Sequence, residues 1–246
     1  MPTTEVIVAL TLIAFGAGFV HSAIGFGFGI VAVALLPWAI DVRQAHVVIS
    51  TASVPVLMSA VWTYRKGGDF RLLGQALLGA AVCLPLGLKA FEFVSLDLLV
   101  RGTGLAVLGM VAMSFRNRRL AKETEKRGPG PAWLAGGFAG FLAGAVSIAG
   151  PPVAAFALQQ QWDQARYKAF LNQFLFVVAL YKVGGLIWWG LLTGEAMVQA
   201  SILAPTAMLG IYVGSLMSRR LEGAWFRWVV AAALIAVALM FLIRGN

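Results

Sequence analysis

From Ala196 to Met217 the chain runs without a charged residue. A bilayer core of roughly 30 Å needs about 20 apolar residues to be crossed by one helix, so this stretch is long enough to span it. Phe70–Leu88, Leu98–Phe115 and Trp225–Ile243 are similar, each interrupted by a single arginine. None alternates apolar and polar residues as a barrel strand would, and backbone groups in lipid must be satisfied within a helix or a closed barrel. Composition agrees: 60% of the 246 residues are hydrophobic and 12% are charged, about half the charge of a typical soluble domain, and the mean hydropathy is +0.86. The fold class is an all-α polytopic membrane protein.

The net charge of +9 invites a nucleic-acid partner. Lys and Arg, however, gather in cytoplasmic loops of membrane proteins, so the expected partners are membrane lipids and a small solute, not nucleic acid. The single Cys83 excludes an internal disulfide and argues against a thiolate metal site. No cofactor is implied. Met1–Glu5 carries no cationic region of the signal-peptide kind.

Two basic loops set the sidedness. One runs from Arg116 to Arg127 and continues into Gly128-Pro129-Gly130-Pro131; the other holds Arg219-Arg220, with Arg227 after it. Both belong in the cytoplasm. Between them lie three apolar units, 132–160, 165–192 and 196–217, and three plain crossings would put the second basic loop outside. One unit must therefore enter and return on the same side. The unit 132–160 is the candidate, because Ser147-Ile-Ala-Gly-Pro-Pro152 interrupts it where proline disfavours continuous helix. Residues 6–40 are interrupted in the same way at His21-Ser-Ala-Ile-Gly-Phe-Gly-Phe-Gly29, a glycine density that weakens helix.

The expected organisation is thus two repeats. Repeat 1 (1–116) holds a hairpin at 6–40 and helices near 44–64, 70–88 and 98–115. A cytoplasmic linker spans 117–131. Repeat 2 (132–246) holds a hairpin at 132–160 and helices near 165–192, 196–217 and 225–243. Arg65, Lys66, Arg71, the linker cations, Arg166, Lys168, Arg219, Arg220 and Arg227 then face the cytoplasm, and Arg43, Lys89, Arg101 and Arg244 face outward with both termini. Lys182 alone stays within a helix. The halves share Gly18-Phe19 with Gly140-Phe141, and Asp41 followed by Gln44-Ala45 with Asp163-Gln164-Ala165, at spacings of 120–122 residues. Three crossings per repeat would insert the second half upside down, the inverted repeat of many secondary transporters, whose broken helices flank the substrate.

The hairpin Gly18-Phe-Val-His-Ser-Ala-Ile-Gly-Phe-Gly-Phe-Gly29 resembles the first motif of the sulfite exporter TauE/SafE family. Gly140-Phe-Leu-Ala-Gly-Ala-Val-Ser-Ile-Ala-Gly-Pro-Pro152 is similar to the second. The resemblance extends over roughly residues 8 to 244. It implies a two-fold repeat of helical units in a bacterial plasma (inner) membrane, and export of sulfite, sulfoacetate or a related organosulfonate. Phe26 and Phe28 separate glycines that many members hold adjacent, and Gly-Pro-Pro fills the second break, which bears on the substrate more than on the fold.

A broken helix presents unpaired backbone amides where it restarts, and these bind anions. The expected donors are Ile30 and Val31 after Gly25, Gly27 and Gly29, and Val153 and Ala154 after Gly150, with Pro151-Pro152 suited to a helix start. Ser22 and Ser147 flank the breaks and can add hydroxyl donors. The competing role for the glycines is close helix packing. Three roles are open to His21: bonding the anion, carrying a proton, or bridging helices. His46 falls near a helix end and reads as interfacial. Lys182, deep in its helix, is either a site cation or a side chain that snorkels to the headgroups. Asn172 and Gln173 on the same helix, with Ser50, Thr51 and Ser53 in the first half, form a polar stripe that lines a pathway or bonds helices together.

All ten acidic residues map to loops or helix ends. A cation pathway would want buried carboxylates, so buried basic groups alone favour an anion. His21-Ser22 lack a second deep histidine or acid to complete a nucleophilic triad, which argues against an enzyme. The expected function is a secondary transporter exporting a small sulfur-containing anion; an anion channel of the same architecture is the alternative.

Overall fold

The computed structural model describes residues 4–65, 67–93, 98, 101–102, 104–105, 108–109, 130–160, 162–218 and 224–243. The expected helix at 98–115, the linker at 117–131 and Arg219-Arg220 lie largely or wholly outside these. The described residues form helices α1 (Thr4–Ile24), α2 (Phe28–Leu35) with a short 3₁₀ turn (Leu36–Trp38), α3 (Val42–Thr63), α4 (Phe70–Phe93), α5 (Gly130–Val146), α6 (Gly150–Gln159), α7 (Gln164–Trp188), α8 (Gly194–Ser218) and α9 (Ala224–Ile243). No strand occurs among them. Five helices, α1, α3, α4, α7 and α8, are long and apolar enough to cross a membrane. Their outward faces are greasy: Leu78, Val82 and Leu86 on α4 and Leu209, Tyr212 and Leu216 on α8 are exposed, as lipid contact requires. All eight tryptophans lie within about a turn or so of a helix end, the headgroup level favoured by amphipathic rings. The chain is an integral membrane protein.

The repeat spacing of the sequence reappears in the elements. α1 and α5 end, α2 and α6 begin, and α3 and α7 begin at positions 122 residues apart (24 and 146, 28 and 150, 42 and 164). Asp41 caps α3 by accepting from the Arg43 and Gln44 amides, and Asp163 caps α7 by accepting from the Arg166 amide; each satisfies amides that a helix start leaves open. α7 stops at Trp188, short of position 192, where Gly190 takes a φ of 66°.

The halves exchange partners. α1 packs along α8 and α5 along α4, while α3 touches both α7 and α8. Without a water-driven hydrophobic effect, helix pairs in lipid depend on small residues that let backbones approach. A β-carbon at Gly18 would strike the Ala207 carbonyl, and one at Gly210 the Phe15 carbonyl. Across the other pair, Gly79 meets the Trp133 carbonyl and Gly136 the Ala76 carbonyl. Close packing is therefore the role of Gly18 and Gly140, the latter against Ala80. Two cores result. One gathers Leu10, Phe28, Ile49 and Leu203 from α1, α2, α3 and α8; the other gathers Leu84, Leu142, Val153 and Phe170 from α4, α5, α6 and α7. The two breaks meet where these cores abut.

Candidate functional site

Gly25-Phe26-Gly27 separates α1 from α2, and Ser147-Ile148-Ala149 separates α5 from α6. Gly25 and Ser147 stand one residue past their helices, and both are left-handed, at φ 87° and 59°. Glycine accepts that conformation freely, whereas a serine there carries strain. Gly27 reaches φ 119° as the N-cap of α2, a value closed to most side chains. The breaks touch each other directly: a β-carbon on Gly29 would lie 2.7 Å from the Ser147 carbonyl oxygen, and one on Gly150 2.9 Å from Phe26 Cβ.

Both breaks open onto one cavity. Its polar lining among the described residues is His21, Ser50, Ser53, Ser147 and Lys182, with no carboxylate among them. The backbone of Gly27 through Ile30 forms one wall. A helix leaves its first amides without internal acceptors, so Phe28, Gly29 and Ile30 offer N–H groups there. The amide of Val31 is already spent on the Gly27 carbonyl, which moves the expected donors Ile30 and Val31 back by one or two residues. At the second break the helix starts at Gly150 itself, with proline following. Pro151 and Pro152 have no N–H, so this break offers fewer backbone donors, at Ala149 and Gly150.

Side chains make up the difference. Lys182 is 4% exposed, and its ammonium donates to Ser147 Oγ at 2.6 Å instead of snorkelling. Ser147 Oγ lies 2.8 Å from His46 Nδ1. An ammonium can only donate, so the serine oxygen accepts from Lys182 and its own hydrogen is available to His46. Ser50 Oγ donates to the His46 carbonyl at 2.6 Å and sits 3.5 Å from Ser147 Oγ. His46 is therefore buried against the second break, not interfacial, because α3 crosses over to the other half.

A second polar cluster lies behind the first break. His21 Nε2 is 2.8 Å from Asn172 Oδ1, and Asn172 Nδ2 donates to the Lys168 carbonyl at 2.7 Å. Lys168 Nζ donates to the Ser22 carbonyl at 2.7 Å and lies over the rings of Tyr64 and Phe226 at 4.9 and 5.5 Å. Ser22 Oγ and Tyr64 Oη are 2.6 Å apart. Lys168, expected to face the cytoplasm from near a helix start, is 2% exposed: the first turn of α7 is exposed at Asp163 and Arg166, but the Lys168 side chain turns inward to Ser22, Tyr64 and Phe226.

The structure thus brings His21, Gly27, Gly29, Ser50, Ser147, Gly150 and Lys182 to one cavity. Asn172 reaches it only through His21. Ser22 faces Tyr64, and Gly25 packs on Tyr167 and Lys168. Thr51 bonds back to the Val47 carbonyl, Gln173 lies against Gly68, and Pro151 and Pro152 sit in the α6 core without lining the cavity. His46 and Lys168 were missed as buried partners, yet the sequence holds a signal for them. They are 122 residues apart, as are Ser50 and Asn172 one turn later. Each pair sends its members to the opposite half's break.

The family model for the sulfite exporter TauE/SafE matches residues 10–241. A curated relative from Cupriavidus necator, "Probable sulfite/organosulfonate exporter TauE", is 23% identical over 231 residues, which is 92% of this chain and 86% of the relative. No solved structure matches the chain. With a family match across nearly its whole length, on helices that span a bilayer and break twice at matching positions, the chain belongs to the sulfite exporter TauE/SafE family.

Proposed function

We propose that the protein is a secondary transporter that exports a small sulfur-containing anion, sulfite or an organosulfonate such as sulfoacetate, through the cavity between the two breaks. The observation that carries this reading is the meeting of both breaks at one cavity that holds a buried lysine and, among the described residues, no carboxylate. Lys182 supplies the charge, Ser147 a hydroxyl, and Phe28, Gly29 and Ile30 their amides. Such donors, fixed in a low-dielectric setting, favour an anion over its hydrated form far more than they would in water.

The two halves act as inverted repeats, each a broken-helix hairpin followed by three crossings. The central linker is cytoplasmic and both termini are outside, in a bacterial plasma membrane. The shared spacing of 122 residues and the exchange of α4 and α8 between the cores support this arrangement. Outward movement of an anion gains about 2.3 kcal/mol per charge per 100 mV of inside-negative potential, so export runs downhill without a coupling cation. His46 places a second histidine beside a serine, but the family is one of exporters and the Ser147 oxygen already accepts from Lys182.

Flux in proteoliposomes loaded with sulfite, sulfate, sulfoacetate or taurine tests the reading. Saturating export of sulfite or sulfoacetate without unitary currents supports a transporter. Unitary currents would make it a channel, and flux of none of the four would overturn the anion reading.

A further inference from the structure

The wall of the cavity formed by His21 differs from the rest in its chemistry. Asn172 Nδ2 donates to the Lys168 carbonyl, which fixes the amide so that Oδ1 is the atom facing His21 Nε2. An amide oxygen can only accept, so Nε2 carries the hydrogen. A neutral imidazole has one N–H, and Nδ1 is then a bare acceptor. That Nδ1 is buried and has no partner, while His21 itself is 1% exposed and lines the cavity. An imidazolium would satisfy a fully deprotonated anion. It would also add a third positive charge beside Lys182, in the same cavity, and Lys168, bonded to the carbonyl of the next residue, Ser22. No carboxylate among the described residues lines the cavity to offset it. Tyr64, the C-cap of α3, bonds the neighbouring Ser22.

The residues lining the cavity therefore combine donors with one residue, His21, that carries an unfilled acceptor. We propose that His21 Nδ1 selects an oxyanion that keeps one O–H group, so that the bound species is hydrogensulfite, its hydroxyl donating to Nδ1 and its charged oxygens accepting from Lys182 and the α2 amides. This rests on the anion reading of the cavity and narrows it. A buried acceptor left unpaired is costly, and sites built to bond a hydroxyl reject analogues that lack it. Sulfite as a dianion, or a sulfonate in which carbon replaces the hydroxyl, would leave Nδ1 unsatisfied.

Methanesulfonate is the probe, because it has the shape and single charge of hydrogensulfite but no O–H, and it does not titrate. Equilibrium binding to the purified full-length protein is measured for both, without oxygen, at mildly acid and mildly alkaline pH. The ionisation of hydrogensulfite falls between these conditions. At the acid pH, hydrogensulfite should bind roughly tenfold tighter than methanesulfonate. Its apparent affinity should fall at the alkaline pH in step with the loss of hydrogensulfite, while methanesulfonate should not change. H21L should bring the two ligands to within about twofold at the acid pH, and the wild-type comparison stands alone if that variant does not fold. Equal binding of both ligands by the wild type overturns the His21 proposal and leaves the anion site standing. Binding of hydrogensulfite with none of methanesulfonate supports the proposal in its strongest form, and failure of both ligands to bind overturns both readings.

Discussion

The two breaks lie at matching positions 122 residues apart and are built from opposite materials. The first is made of glycine: Gly25 and Gly27 take positive φ, and Phe28, Gly29 and Ile30 present amides to the cavity. The second is made of serine and proline. Pro151 and Pro152 remove donors, Ser147 bears the left-handed strain itself, and its hydroxyl receives the Lys182 ammonium. In the proposed function, one break binds with backbone and the other with side chains. The geometry matches while the chemistry differs, so an anion bound there as proposed would meet diffuse partial charges on one side and a full charge on the other.

This contrast can be broken in order of expected effect. Lys182→Ala removes the one lysine among the described residues that lines the cavity, and a charge-assisted contact is worth about 2–3 kcal/mol. Sulfite affinity should fall roughly a hundredfold in protein that still reaches the membrane, with partial recovery in Lys182→Arg; proteoliposome flux reads both. Gly27→Ala and Ala149→Gly are equivalent positions with unlike backbones, at φ 119° and −92°. The first should cost about 1–3 kcal/mol of thermal stability and the second no more than about 1 kcal/mol, as thermal unfolding in detergent would show. Ser147→Gly relieves the left-handed strain while deleting the hydroxyl. It should weaken sulfite binding several-fold, about 1 kcal/mol, without loss of stability. Ser22→Ala should change sulfite affinity by less than about twofold, because its hydroxyl faces Tyr64 and one neutral hydrogen bond outside the site contributes little to binding.

Much of this arrangement was legible in the sequence because membrane helices write their interruptions plainly. Glycine and proline in the middle of an apolar run have few uses, and Gly27, Gly29, Ser147 and Gly150 all came to the cavity. Lys182 was legible because a charge far from either end of a span is rare. His46 and Lys168 were harder. Each lies five residues into its helix, 46 in α3 and 168 in α7, where a polar side chain ordinarily meets headgroups. Only the crossing of those helices into the opposite half buries them, and crossing is a property of packing, not of local pattern. Gln173 and Thr51 show the converse: neighbours of site residues in sequence, they point elsewhere because adjacent positions on a helix diverge by about 100°.

The central claim is that two breaks build one anion site. Isothermal titration of sulfite into the purified protein, its Lys182→Ala variant and its Gly27→Ala variant tests this most directly, since Lys182 belongs to the second break and Gly27 to the first. The account predicts one anion per chain in the wild type, with affinity strongly reduced by either variant alone. Two independent sites per chain, each weakened only by the variant at its own break, would contradict it.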